Sequence, residues 1–134
     1  MLLRHDGFLA GIAQACLAVN PALIARNAVT LQDGADAALF ILITPTPPTA
    51  IVCAVDLAAL GLYRNANRLG LTIGTDLSVF AYDGIPGGIH VVLSLTTFAV
   101  DYTVSGCHLS ALLIRTVRCE APNMLRKTVQ ATYP

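Results

Sequence analysis

The sequence predicts an α/β fold, a mostly parallel sheet flanked by helices, and three observations point to it. Helical and extended patterns alternate along the chain with short connections. The run Thr49-Ala50-Ile51-Val52-Cys53-Ala54 is apolar or β-branched throughout, as in a strand buried on both faces. Asp56 and Asp83 each follow an extended run, where the carboxyl end of a strand in an open α/β sheet faces a crevice.

Each element has its own local signal. Leu3, Phe8, Ile12, Cys16 and Val19 recur at helical spacing and predict a helix over 3–19, stopped by Asn20-Pro21. A short apolar strand is expected at about 25–31. Asp33 is placed to cap a second helix running to Ile43, which ends before Pro45 because a residue preceding proline prefers extended geometry. After the strand at 49–54, Asp56 is placed to cap a third helix, 57–69, with Gly70 as its C-terminal stop. Residues 77–82 read as a strand ending at Asp83-Gly84. A loop containing Pro86-Gly87-Gly88 leads to a further strand near 91–97. Asp101 caps a long helix to about Arg118, and 125–132 is the last predicted strand.

Composition narrows the class. The 134 residues suffice for one domain. Eight basic and eight acidic side chains cancel, which argues against a nucleic-acid grip in this chain, because phosphate binding needs a clustered positive surplus. Charged residues make up 12%, hydrophobic ones 55%, and the mean hydropathy is +0.68, so disorder is excluded. The charged share is about half that of ordinary soluble domains, leaving an apolar excess to be located. A membrane span does not absorb it. The strongest apolar stretch is interrupted by Thr44-Pro45-Thr46-Pro47-Pro48-Thr49, which breaks any helix of the roughly 20 residues a bilayer needs. Asp6 disrupts the positive start a secretory signal would need. The expectation is a cytoplasmic chain. Cys16, Cys53, Cys107 and Cys119 show no zinc-type spacing and sit in apolar patterns, which predicts buried, reduced thiols and no metal.

Catalytic signatures are missing. There is no GxSxG elbow, phosphate-binding GxxxxGK[ST] loop or HExxH pair, and Gly84, Gly87 and Gly88 do not make GxGxxG. Cys107 and His108 are neighbours on a predicted helix, where adjacent side chains diverge. His5 and His90 stand alone. The chain is therefore expected not to be an enzyme and to need no cofactor. What remains is positional. Asp56 and Asp83 could each accept hydrogen bonds from ligand hydroxyls, with Arg4 as the donating fork. For Asp56 the helix cap is the favoured reading over a ligand contact, and Asp83 could equally be part of an Asp-Gly turn.

The same residues carry a family resemblance. In order come Arg4-x-x-Gly7-Phe8, Pro48-Thr49-Ala50-Ile51, Asp56-x-x-Ala59-x-Gly61, then Gly70-Leu71-x-x-Gly74-x-Asp76-Leu77-Ser78-Val79-x-x-Tyr82-Asp83, and Leu95-Thr96-Thr97. This succession resembles the C-terminal part of the effector-binding domain of LacI/GalR-type transcriptional regulators, which has the type I periplasmic-binding-protein-like fold. The resemblance implies an incomplete lobe of a sensor that closes on a sugar or similar small effector, with Arg4, Asp83 and Asp56 as candidate effector contacts. It implies operator binding only through a helix-turn-helix headpiece absent from this chain. It also implies a homodimer, with the segments matching 57–69 and 85–93 at the interface. Leu60 is the candidate contact there, a core leucine being the alternative reading. Departures from the family pattern are Val55 for a frequent asparagine, Ala81 for a glycine, Leu93-Ser94 for prolines, and Cys119 for a helix-ending glycine. A sugar-binding component of a transport system and a truncated interaction module are the alternative readings.

Overall fold

The computed structural model describes residues 2–85, 94–125 and 128. It divides into two compact units, 1–97 and 98–134. Helix α1 spans Leu2–Gln14, α2 Leu31–Leu42, α3 Asp56–Arg68 and α4 Tyr102–Val117; the strands are β1 (Ala50–Val52), β2 (Ser78–Asp83) and β3 (Thr96–Ala99). The predicted loop at 86–88, the start of the strand predicted near 91–97 and nearly all of the one at 125–132 lie outside the described residues.

The sheet has the order β1-β2-β3. Strands β1 and β2 run parallel, with Ala50 opposite Ser78, Ile51 opposite Val79 and Val52 opposite Phe80. The ladder continues past both ends of β1: the Ser78 amide donates to the Thr49 carbonyl (2.9 Å), and the Cys53 amide to that of Phe80 (2.7 Å). Burial along β2 alternates, Val79 and Ala81 inside, Ser78 and Phe80 outside. Val52 is 58% exposed. The expectation that the central strands are buried on both faces is thus corrected. Among the described residues β1 is an edge of the sheet, and the core forms on one face, from Ala38, Leu42, Ala59, Leu62, Ala66, Leu77, Val79, Ala81 and Leu95.

That core depends on α2 and α3 approaching unusually closely. A Cβ on Gly34 would collide with the backbone of Ala58, and one on Gly61 with the backbone of Leu31 and Ala35. Buried alanines lie on both helices, Ala35 and Ala38 on α2 and Ala58, Ala59 and Ala66 on α3. The buried Asn65 fixes the register, its Nδ2 donating to the Ala35 carbonyl at 2.6 Å. A buried polar group with such a bond is an alignment device, since leaving it unpaired would cost about 1–3 kcal/mol.

Two helix starts differ from expectation. Thr30, not Asp33, is the N-cap of α2: its Oγ1 accepts from the Asp33 amide (3.1 Å), and the Asp33 carboxylate accepts from the Thr30 amide (3.0 Å), a reciprocal capping box. These bonds, the side-chain one with Thr30 first, hold the Asp33 carboxyl below the usual range. Its stabilising contribution is present above the ordinary carboxylate pKa and is lost as pH falls through the lowered one. No strand forms at 25–31. The chain instead makes a 3-10 turn at Pro21–Leu23 capped by Asn20, and Asn27 takes a left-handed φ of 64° on the approach to the cap. For α3 the N-cap is Val55, with no side-chain cap bond, so Asp56 is not the cap. Asp101 does cap α4, accepting from the Val104 amide at 2.8 Å.

Three helices end in the same way. After α3, Gly70 is left-handed (φ 76°), its amide donates to Asn67 (3.1 Å), and that of Leu71 donates to Ala66 (2.9 Å). The pair of bonds is repeated after α1 by Cys16 (φ 56°) and Leu17, donating to Ala13 and Ile12. It recurs after α4 with Cys119 (φ 60°) and Glu120, donating to Thr116 and Arg115. All three are Schellman closures. The closure at Cys16 explains why α1 stops at Gln14, well short of the predicted 19. It also corrects the reading of the cysteines: Cys16, Cys107 and Cys119 are exposed, only Cys53 is partly buried, and all four are free thiols.

Two measurements of equilibrium unfolding test this packing. Replacing Gly61 by alanine should destabilise the chain by about 1–3 kcal/mol despite alanine's better helix propensity, because the added methyl meets backbone. Replacing Cys119 by glycine should stabilise it by about 1 kcal/mol through release of the left-handed penalty.

Candidate functional site

At the carboxyl ends of the parallel strands β1 and β2, five side chains converge. Arg4 lies in the first turn of α1, and its Nη1 donates to the carbonyl of Ala54, just past β1, at 2.6 Å. Its Nη2 stands 3.6 Å from Oδ1 of Asp83, and its guanidinium carbon lies 3.7 Å from the centre of the Tyr82 ring. A carbonyl, a carboxylate and an aromatic face therefore orient one planar cation. Among the sequence-predicted residues, Arg4 and Asp83 are brought together directly.

Asp83 closes β2 with a φ of 133°, a region that residues with a Cβ rarely occupy and that costs on the order of 1–3 kcal/mol. Gly84 follows with φ 72°. The Asp83 carboxyl is held above the usual carboxylate range, first by burial; Arg4 pulls it down and the Asp56 charge pushes it up. With the folded pKa above the unfolded one, its contribution to stability is fully present below the ordinary aspartate pKa and declines as pH rises through the folded value.

Asp56, the first residue of α3, is 0% exposed. Its Oδ1 accepts from the Thr97 hydroxyl (2.6 Å) and its Oδ2 from the Ile85 amide (2.8 Å). The Thr97 hydroxyl in turn accepts from the Gly84 amide at 3.3 Å. Asp56 thus stands behind Asp83, with both oxygens engaged inside the protein. Its position at the start of a helix lets the aligned peptide dipoles offset part of the cost of a buried negative charge.

Sequence reading missed Thr97 and Tyr82 as parts of this cluster, although both lie within the motifs Leu95-Thr96-Thr97 and Tyr82-Asp83. The signal that could have found Tyr82 is its place beside Asp83 at the end of a strand. Leu60 is half-buried on α3. A separate shallow groove, lined by Arg26, Asn27, Asp33, Asp36 and Phe40, shares no residue with the Arg4–Asp83 cluster. Among the described residues no three His, Cys, Asp or Glu side chains gather to hold a metal ion, and no helix is long and apolar enough to cross a membrane.

The sequence profile of the periplasmic binding protein-like domain matches residues 1–132. The chain belongs to that family. The HTH-type transcriptional regulator AglR of Rhizobium meliloti is 37% identical over 82 residues, 61% of this chain and 23% of AglR. The HTH-type transcriptional repressor PurR of Histophilus somni is 30% identical over 116 residues, 87% of this chain and 35% of PurR. The crystal structure of a LacI-family regulatory protein from Chloroflexus aggregans superposes with a TM-score of 0.83 at 28% identity, over 97% of this chain and 47% of that one. The resemblance to LacI/GalR-type regulators is therefore borne out, and so is the periplasmic-binding-protein-like fold. The chain spans about a quarter to a third of the length of these curated relatives.

Within this periplasmic-binding-protein-like chain, Cys53 borders the cluster at the end of β1, and burial, then the Asp56 charge, pushes its thiol up to about 12. At pH 8 a disulfide reagent should titrate Cys16, Cys107 and Cys119 rapidly and Cys53 only on unfolding, because the thiolate is the reacting species. Four equally fast thiols would contradict the burial described.

Proposed function

We propose that this chain is the effector-sensing part of a LacI-type transcriptional regulator, and that a sugar or similar hydroxylated small molecule binds against Arg4 and Asp83. The observation that carries the reading is the pairing of these two side chains at the carboxyl ends of β1 and β2, where α/β sheets take their ligands. A carboxylate accepts from two hydroxyls and a guanidinium donates to ring or hydroxyl oxygens, so the pair suits a polyol better than an apolar ligand. The strained φ of Asp83 supports it, since such strain concentrates where a ligand is held. Asp56, its carboxylate enclosed, supports these contacts from behind.

In this reading the chain is not an enzyme and works in the cytoplasm. DNA is met only through a helix-turn-helix headpiece outside these residues. Self-association as a homodimer belongs to the same reading. The half-buried Leu60 and the exposed Leu57 on α3 are its candidate contacts.

Thermal melting of the purified chain against a panel of sugars and sugar phosphates tests the proposal. A ligand at a hundred times its dissociation constant adds about 2.7 kcal/mol of stability. That shift should appear for at least one compound and vanish in Arg4→Ala and Asp83→Asn. No shift with any compound, or a shift unchanged in both variants, would overturn it. Light scattering at micromolar concentration should report a dimer; a clean monomer would remove the Leu60 contact from the reading.

A further inference from the structure

Among the described residues, the buried carboxylate of Asp56 is engaged by the backbone that follows Asp83 and by Thr97, which is bonded to that same backbone. One oxygen takes the Ile85 amide, two residues beyond Asp83; the other takes the Thr97 hydroxyl, which itself holds the Gly84 amide, one residue beyond. Both peptide groups that leave Asp83 are thus anchored, directly or through one hydroxyl, to the start of α3. Asp83 itself occupies a backbone conformation, φ 133°, that an unconstrained aspartate would abandon. A strained residue next to two anchored amides needs a cause, and Asp56 and Thr97 are the groups placed to supply it.

We propose that Asp56, acting with Thr97, is a positioning residue that holds the Gly84-Ile85 backbone and thereby sets the direction in which Asp83 presents its carboxylate to Arg4. As a determinant of effector binding this rests on the function proposed above; as a statement about Asp83 it stands without any ligand. The hydroxyl of Thr97 is the specific requirement, because it is at once donor to the carboxylate and acceptor for the amide. Serine can make both bonds; valine, of nearly the same shape, can make neither.

The experiment is nuclear magnetic resonance on the full 134-residue chain without ligand. In the unaltered protein the Ile85 amide should exchange with solvent at least about a hundredfold more slowly than an unprotected amide, a comparison that needs no variant to fold. Exchange at the unprotected rate would overturn the proposal. The Asp83 side-chain carboxyl is then titrated in Thr97→Val and Thr97→Ser. Burial is the chief cause of its raised pKa, so a released Asp83 turns to water and titrates lower. The expected result is a downward shift in Thr97→Val toward the ordinary aspartate value, with Thr97→Ser near the parent. An unchanged Asp83 titration in a folded Thr97→Val, or equal shifts in both, would overturn it. Loss of effector binding in Asp83→Asn tests the functional reading separately. If the titration behaves as expected and Asp83→Asn still binds, the positioning stands and the ligand role of Asp83 falls.

Discussion

A carboxylate with no contact to water has to be satisfied from within the protein, and Asp56 is such a group. Meeting that requirement joins three separate parts of the first unit: the start of α3, the backbone after β2, and Thr97 in β3. None of these could move alone without stranding a buried charge, which is among the more expensive defects a fold can carry. The arrangement around Arg4 follows from it. The guanidinium has fixed partners in the Ala54 carbonyl and the Tyr82 ring, and Asp83 is brought to it on a backbone that cannot drift. The site is therefore organised from behind, by a residue that touches no solvent.

Signals confined to one or two turns of chain were readable in the residues. Gly70 as the stop of α3 and Asp101 as the cap of α4 are local chemistry, and both are found as expected. The capping box of α2 was local too, since Thr30 and Asp33 have its spacing, but an aspartate read as the cap hid the threonine three residues earlier. Asp56 shows where local reading stops. An aspartate at a helix start looks like a cap, and only Thr97, forty-one positions away, reveals that it is a buried acceptor. The cysteines failed for a related reason. Their apolar character says inside, whereas Cys16 and Cys119 are placed by the backbone geometry of a helix end. Arg4 and Asp83 were legible because the crevice beyond the strands is a property of the fold class as a whole.

The apolar excess of the composition also finds its place, and it is not the core. The first unit's interior combines alanine and glycine at the close α2–α3 contact with Leu42, Leu62, Leu77, Val79 and Leu95. Many other large apolar side chains are at the surface. Val52, Phe80 and Phe98 are exposed on the strands, and Leu109, Leu113, Ile114 and Val117 are exposed on α4, which has no buried residue. Such surface is more than single scattered residues account for in a lone soluble domain.

The φ of Asp83 has a consequence for how the molecule could change under selection. Glycine is the one residue at ease in that conformation, and at this position it would relieve the strain and remove a partly buried carboxyl together. Laboratory evolution that rewards heat resistance alone would thus be drawn to position 83 and would erase the carboxylate facing Arg4. An aspartate that persists at such a place marks where a gain in robustness and the retention of chemistry pull in opposite directions.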